Sequence, residues 1–212
     1  MNRRSCFFIF FLIPFLAFGQ EESTIPLPKP QTDGGKPLMR VLKERKSIRE
    51  FSTEKLPLQI LSNLLWAGFG INRPDDQKRT APSARNWQEI DIYVTTEDGF
   101  FLFDAKAHAL KKLSKKDIRG STGSQPFVTI APVNLVYVAD LSKLEGASDI
   151  DKNFYSAIDA GFIAENVYLF CASEGLGVVV RGMVPRDELA KEMKLRPDQK
   201  IIVAQTVGYP KK

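Results

Sequence analysis

Three short segments of the chain combine residue types that could hold a charged, planar ligand. The first is Arg45-Lys46-Ser47-Ile48-Arg49. In an extended stretch alternate side chains share a face, so Arg45, Ser47 and Arg49 would point the same way. Two guanidinium groups and a hydroxyl make an anion cradle, because the planar donor fork of arginine matches phosphate oxygens. Taken alone, the run also fits a solvated basic helix end. The second segment, Pro82-Ser83-Ala84-Arg85-Asn86-Trp87-Gln88, offers a hydroxyl, two carboxamides and a predicted helix N-terminus whose amides could face a ligand edge. An ordinary N-cap on Ser83 is the simpler alternative. The third, Gly177-Val178-Val179-Val180-Arg181-Gly182, reads as a buried strand ending in a charge and a glycine that permits close backbone approach. A strand running into a plain turn has the same pattern.

The elements that must carry these segments alternate between helix and strand. Apolar spacing predicts a helix over Leu38–Glu44, from Leu38, Val41 and Leu42, and a second over Pro57–Gly68 with proline in its first turn. Asn72–Arg85 is polar and loop-like. Ile90–Thr95 and Gly99–Asp104 read as a hairpin turning through Glu97-Asp98-Gly99. Ala105–Phe127 is charged, with one short helix around Lys115–Arg119, and Val133–Ala139 is an apolar strand. A long helix covers Asp151–Glu174, with Ala160, Ile163, Val167 and Phe170 spaced by three and four and Gly175-Leu176-Gly177 at its end. Val178–Val180 forms a strand, Pro185–Met193 a helix and Lys200–Val207 the closing strand. Strands and helices interleaved without repeats predict an α+β (mixed α/β) architecture.

Residues Met1–Gly19 place Arg3 and Arg4 before an apolar run from Phe7 to Phe18, with Ala17 and Gly19 just before Gln20. This is the pattern of a secretory signal peptide, and it is short of the roughly 20 apolar residues that span a bilayer. The expectation is cleavage near Gly19-Gln20, an exported chain in the periplasm or outside the cell, and no membrane span afterwards. Residues 20–36 read as a flexible spacer and 37–212 as one domain. A formal net charge of +5 with the signs interspersed leaves room for a phosphate-bearing ligand and lacks the basic stripe of a nucleic-acid binder. Cys6 falls in the signal and His108 is the sole histidine, so neither a disulfide nor a metal site is expected. Cys171 reads as a buried small hydrophobe and His108 as an exposed structural residue.

In order along the chain, these segments resemble the nitroreductase superfamily of flavoproteins over nearly all of Met39–Pro210. Arg45, Ser47, Arg49 and Phe51 match its Arg-x-Ser-x-Arg/Lys-x-Phe motif, and Pro82, Ser83, Asn86 and Gln88 match Pro-Ser-x-x-Asn-x-Gln. Asp159–Gly177 matches a long helix leading into Gly-Leu-Gly, and Val207–Pro210 matches Val-Gly-Tyr-Pro. Leu64–Asn72 and Arg79–Ala84 look like the SagB-type branch, which includes azoline oxidases of peptide-modifying systems. The resemblance implies a central, mostly antiparallel sheet flanked by helices and joined by the C-terminal strand, in a homodimer that binds FMN. It implies phosphate and ribityl contacts from Arg45, Lys46, Ser47, Arg49 and Lys211. It further implies that Pro82, Ser83, Ala84 and Asn86 reach the flavin of the other subunit, and that Arg181 and Gly182 lie beside the reactive ring. The flavin carries the chemistry, so no side chain is singled out as catalytic, with Arg181 the nearest candidate. The implied activity moves electrons from a reduced donor such as NAD(P)H to a small-molecule acceptor, a nitro or quinone compound. The alternatives are a SagB-like flavin oxidase or dehydrogenase acting on an exported substrate, and a flavin-free binding or scaffold protein. Two departures stand out: Arg181 where many members carry Glu, and Glu89-Ile90 after Gln88 where typical members carry Pro-Trp.

Overall fold

The computed structural model describes residues 23–212, and the predicted signal at Met1–Gly19 and the start of the predicted spacer lie outside them. The described chain opens with β1 (Thr24–Pro26), α1 (Leu38–Glu44) and α2 (Leu58–Phe69), then a small hairpin of β2 (Ile71–Arg73) and β3 (Lys78–Arg79). Next come β4 (Ile90–Thr96), β5 (Gly99–Asp104), β6 (Ala109–Ser114) and β7 (Val133–Asp140). The chain ends with α3 (Asp149–Glu174), β8 (Gly177–Arg181), α4 (Arg186–Glu192) and β9 (Gln199–Gly208). One seven-stranded sheet has the order β1-β6-β5-β4-β7-β9-β8. Every neighbouring pair in it is antiparallel. The α+β class is the predicted one, and the C-terminal strand sits inside the sheet between β7 and β8.

Local chemistry explains where the main elements start and stop. The β4–β5 turn closes on Gly99, whose φ is +129° and where a Cβ would lie 2.1 Å from the Ser114 carbonyl oxygen. Helix α3 begins where Ser148 Oγ accepts the Asp151 N–H at 3.1 Å, with Asp149 and Asp151 in its first turn. It ends at Gly175 in the left-handed conformation, φ 72°. The sheet then buries both faces. Val133, Leu135, Tyr137 and Ala139 of β7 pack with Leu64, Leu65, Ile163 and Val167 of α2 and α3. Val136 and Val138 pack with Leu189 and Met193 on the α4 side. The strict alternation along β7 assigns each face its core.

Four sequence expectations change. The predicted spacer contains β1, and residues 23–36 belong to the domain. Leu27 is buried and its N–H bonds the His108 carbonyl (3.0 Å), Gln31 N–H reaches Asn63 Oδ1 (2.9 Å) and Lys36 N–H reaches Ser173 Oγ (3.0 Å). Backbone bonds to distant partners hold a stretch too poor in apolar residues to show a period. His108 is half-buried, its Nε2 2.7 Å from Ser62 Oγ and 3.1 Å from the Pro28 carbonyl oxygen, so it clamps this run onto α2. Within Ala105–Phe127 the structure places strand β6 and a 3-10 turn over Arg119–Thr122 instead of a helix around Lys115. A register shift opposite Phe100 and Phe101 breaks the period of two in β6, which hid the strand. The polar stretch Asn72–Arg85 likewise holds the β2–β3 hairpin.

Candidate functional site

Residues 45–52 run along the outer edge of β8. Ile48 N–H bonds the Val178 carbonyl (2.9 Å), Ser52 N–H bonds Tyr209 O (2.9 Å), and Lys211 N–H bonds Glu50 O (3.1 Å). The tail after β9 therefore lies beside Arg49. Arg45 and Ser47 both turn toward Tyr168 of α3: the Arg45 guanidinium carbon stands 5.2 Å from the ring centroid, and Ser47 Oγ 2.9 Å from the hydroxyl. That hydroxyl accepts the Val180 N–H at 2.9 Å, which leaves its own proton for Ser47. Tyr168 thus pins the first predicted segment to the third. Lys46 and Ile48, on the alternate face, line a separate cleft with Lys36, Lys43 and Gly175. Among the described residues Arg45, Lys46, Arg49 and Lys211 have no carboxylate partner, whereas Lys36, Arg40, Lys55 and Lys143 all do. Among the described residues these basic groups form no ion pair, although Glu44 lines the cleft beside Lys46.

Arg181 is not among them. In the β8–β9 register Val180 faces Gln205, on the α3 side, while Arg181 faces Ala204 on the α4 side. Its side chain is 4% exposed and caged by neutral acceptors. Nε donates to Thr206 Oγ1 (2.9 Å), Nη1 to Thr122 O (2.7 Å) and Gln125 Oε1 (3.5 Å), and Nη2 to Thr122 Oγ1 and Asn134 Oδ1 (both 3.1 Å). All of its N–H groups are engaged. Burial lowers its pKa to about 10, so it stays charged at neutral pH. Alternation along β8 turns this side chain through the sheet, away from Arg45, Ser47 and Tyr168, while its backbone and the exposed Gly182 stand at the strand end.

The second segment lies elsewhere. The predicted helix N-terminus is a three-residue 3-10 turn, Ala84–Asn86, with φ of +48° at Arg85, +56° at Asn86 and, just beyond, +50° at Gln88. Such conformations cost about 1 kcal/mol or more each in residues other than glycine. Ala84 N–H bonds Asp159 Oδ2 of α3 (3.1 Å), and Trp87 packs on Tyr155, ring centroids 5.8 Å apart. Asp159 precedes Tyr168 by nine positions, about 13 Å along the axis of α3. Within one chain, Pro82, Ser83, Ala84 and Asn86 are therefore not brought to the Arg45–Ser47 edge.

Sequence reasoning missed Tyr168, Glu89 and Asp159 as site residues. A tyrosine on the apolar face of α3 needs a partner for its hydroxyl, which is the signal that could have found it. Glu89 was visible only as a departure from a motif. Asp159 falls among the buried stripe of α3, beside Ser156 and Ala160, where an acid is out of place without a partner. Cys171 is fully buried, which raises its thiol pKa and keeps it inert.

The fold is an antiparallel sheet with α2 and α3 on one face and α4 on the other, with a run of basic residues beside β8. The sequence profile of the nitroreductase family matches residues 42–209. The chain belongs to the nitroreductase family of oxidoreductases. A crystal structure of a protein named as a nitroreductase from Ralstonia eutropha JMP134 is similar with a TM-score of 0.86 and 43% identity, covering 96% of this chain and 97% of that one. A protein named as a nitroreductase from Methanocaldococcus jannaschii is 28% identical over 169 residues, 74% of this chain and 83% of that one. The FMN reductase [NAD(P)H] of Bacillus subtilis is 25% identical over 159 residues, 69% of this chain but only 54% of that protein.

Proposed function

We propose that the chain binds FMN in a homodimer and passes electrons from a reduced donor to a small-molecule acceptor such as a nitro or quinone compound. The observation that carries this reading is the pair Arg45 and Ser47 turned to Tyr168 beside β8, on a backbone run that continues through Arg49 to the strand-like contact with Lys211, with no carboxylate partner for these cations among the described residues. A phosphate supplies the missing negative charge there through charge-assisted bonds. Bound FMN would supply the two-electron redox chemistry. Arg45, Arg49 and Lys211 hold the phosphate, Ser47 bonds the adjoining polyol, and Lys46 adds positive charge from the neighbouring cleft. Gly182, with open space where a Cβ would stand, lets the end of β8 lie against a flat ring.

Pro82, Ser83, Ala84 and Asn86 serve the site of a second copy, since in their own chain they lie about 13 Å along α3 from Tyr168. Exposed Leu38, Met39 and Leu42 of α1, Phe154 and Phe162 of α3, and Met183 support such self-association. The signal at Met1–Gly19 supports an exported mature chain, where NAD(P)H is not freely supplied, so the donor is tested separately.

The purified mature protein is expected to be yellow, with a flavin spectrum that bleaches on reduction. A flat visible spectrum even after reconstitution with FMN sinks the reading. Replacing Arg45 and Arg49 together by Gln is expected to weaken FMN binding by about 100-fold or more, at roughly 1.5–3 kcal/mol per charged hydrogen bond. Adding NADH or NADPH without oxygen shows which donor, if either, bleaches the spectrum.

A further inference from the structure

Beneath the turn at Ser83–Gln88 lies a pair of acids for which the proposed electron transfer has no use. Glu89, just before β4, is wholly buried, and Asp159 on α3 is 1% exposed. Asp159 accepts the Ala84 N–H, Ser83 Oγ stands 3.5 Å from Glu89 Oε2, and the same Oγ accepts the Gln88 N–H at 2.8 Å. Glu89 Oε1 and Oγ of Ser156, one turn before Asp159, make no well-formed hydrogen bond, although the Ser156 hydroxyl lies near enough to Glu89 to favour its ionised form. No cation compensates the pair among the described residues. Arg85 lies over the Trp87 ring at 5.3 Å, and Arg79 donates to Gln88 Oε1. Asp91 and Asp140, at the adjoining ends of β4 and β7, are paired with Lys143 and Arg196. Two buried carboxylates side by side do not readily both ionise.

We propose that Glu89 and Asp159 share one proton and that this proton latches the turn carrying Ser83, Ala84 and Asn86. The proton sits on Glu89, which lies within hydrogen-bonding reach of Asp159 and donates to it, leaving Asp159 as the carboxylate that fixes the Ala84 amide. Burial first, and then the Asp159 charge, pushes Glu89 up to about 6, and burial also raises Asp159. Positive φ at Arg85, Asn86 and Gln88 supplies the other half of the device, because such backbone persists only where its surroundings over-determine it. When the proton leaves for bulk water the two anions repel, the hold on Ala84 slackens and the turn relaxes. That this loosens a flavin site rests on the function proposed above; the latch itself does not.

Trp87 sits in the turn and reports on it without any flavin. In flavin-free mature protein carrying Trp66→Phe, Trp87 emission is expected to titrate in one step between pH 5 and 8. Glu89→Gln keeps the donor and cannot ionise, so it should abolish the step and hold the low-pH signal. Asp159→Asn, which removes the neighbouring charge but leaves Glu89 buried and ionisable, should move the step to lower pH, and serves as the readout if Glu89→Gln fails to fold. No step in the parent, or an unchanged step in the variants, overturns the latch. In FMN-loaded protein, affinity is expected to fall several-fold from pH 5.5 to 8 and to stay level in Glu89→Gln. A Trp87 step with no change in FMN affinity upholds the latch and overturns the assignment of this turn to the flavin site.

Discussion

The cage around Arg181 and the pocket around Glu89 and Asp159 are two buried charged clusters built on different terms. Arg181 brings one charge and meets only neutral oxygens, yet each of its N–H groups has a partner. Glu89 and Asp159 bring two like groups and leave Glu89 Oε1 and Ser156 Oγ without a well-formed hydrogen bond. Burial of charge alone does not separate an anchor from a switch. What separates them is whether every donor and acceptor is matched, since a matched network resists rearrangement and an unmatched one can gain by it.

The comparison can be broken at its strong side first. Arg181→Met should cost about 3 kcal/mol or more in denaturant unfolding, because it strands the buried acceptors Thr122, Asn134 and Thr206 around an apolar chain. A loss under about 1 kcal/mol would show that the cage holds nothing. The acid pair should respond in the opposite direction. Glu89 has a folded pKa of about 6, above its ordinary 4.5. Its stabilising contribution is therefore complete below about pH 4.5 and lost as pH rises through about 6. Glu89→Gln should gain about 1–2 kcal/mol over the parent at pH 8, gain nothing from lost ionisation at pH 4, and flatten the stability profile between. Equal profiles for parent and variant would remove the contrast with Arg181. Ser156→Ala is the smallest change: its hydroxyl makes no well-formed hydrogen bond but favours the ionised form of nearby Glu89, so unfolding should change by less than about 1 kcal/mol and the Glu89 titration should move to higher pH. A larger loss would mean that Ser156 holds the pair in place.

Much of this molecule could be read before folding. Alternation in Arg45-Lys46-Ser47-Ile48-Arg49 separates two faces, and the structure turns Arg45 and Ser47 to Tyr168 and Lys46 to another cleft. Helix α1 covers the predicted Leu38–Glu44, and α3 stops at the glycine its sequence marks. The direction of the Arg181 side chain was not legible, for a different reason. A period of two says that Arg181 shares a face with Val179, but it does not say which face meets a ligand. β6 stayed hidden because its register shift breaks the period, and β1 because three residues with a proline carry no pattern.

What the sequence determined by itself is what neighbouring residues decide together: the glycine that ends α3, the hairpin turn at Gly99, the apolar stripes and the order of the basic segments. Those depend on hydrogen bonds and side-chain spacing within a turn or two of chain, and they survive translation from pattern to structure. The tertiary structure alone decided that Arg181 points through the sheet, that residues 23–36 join the domain, and that Glu89 meets Asp159 across 70 residues of chain. Each of these is a contact between distant segments, set by strand order and by how α3 lies on the sheet, and no local energy term encodes it.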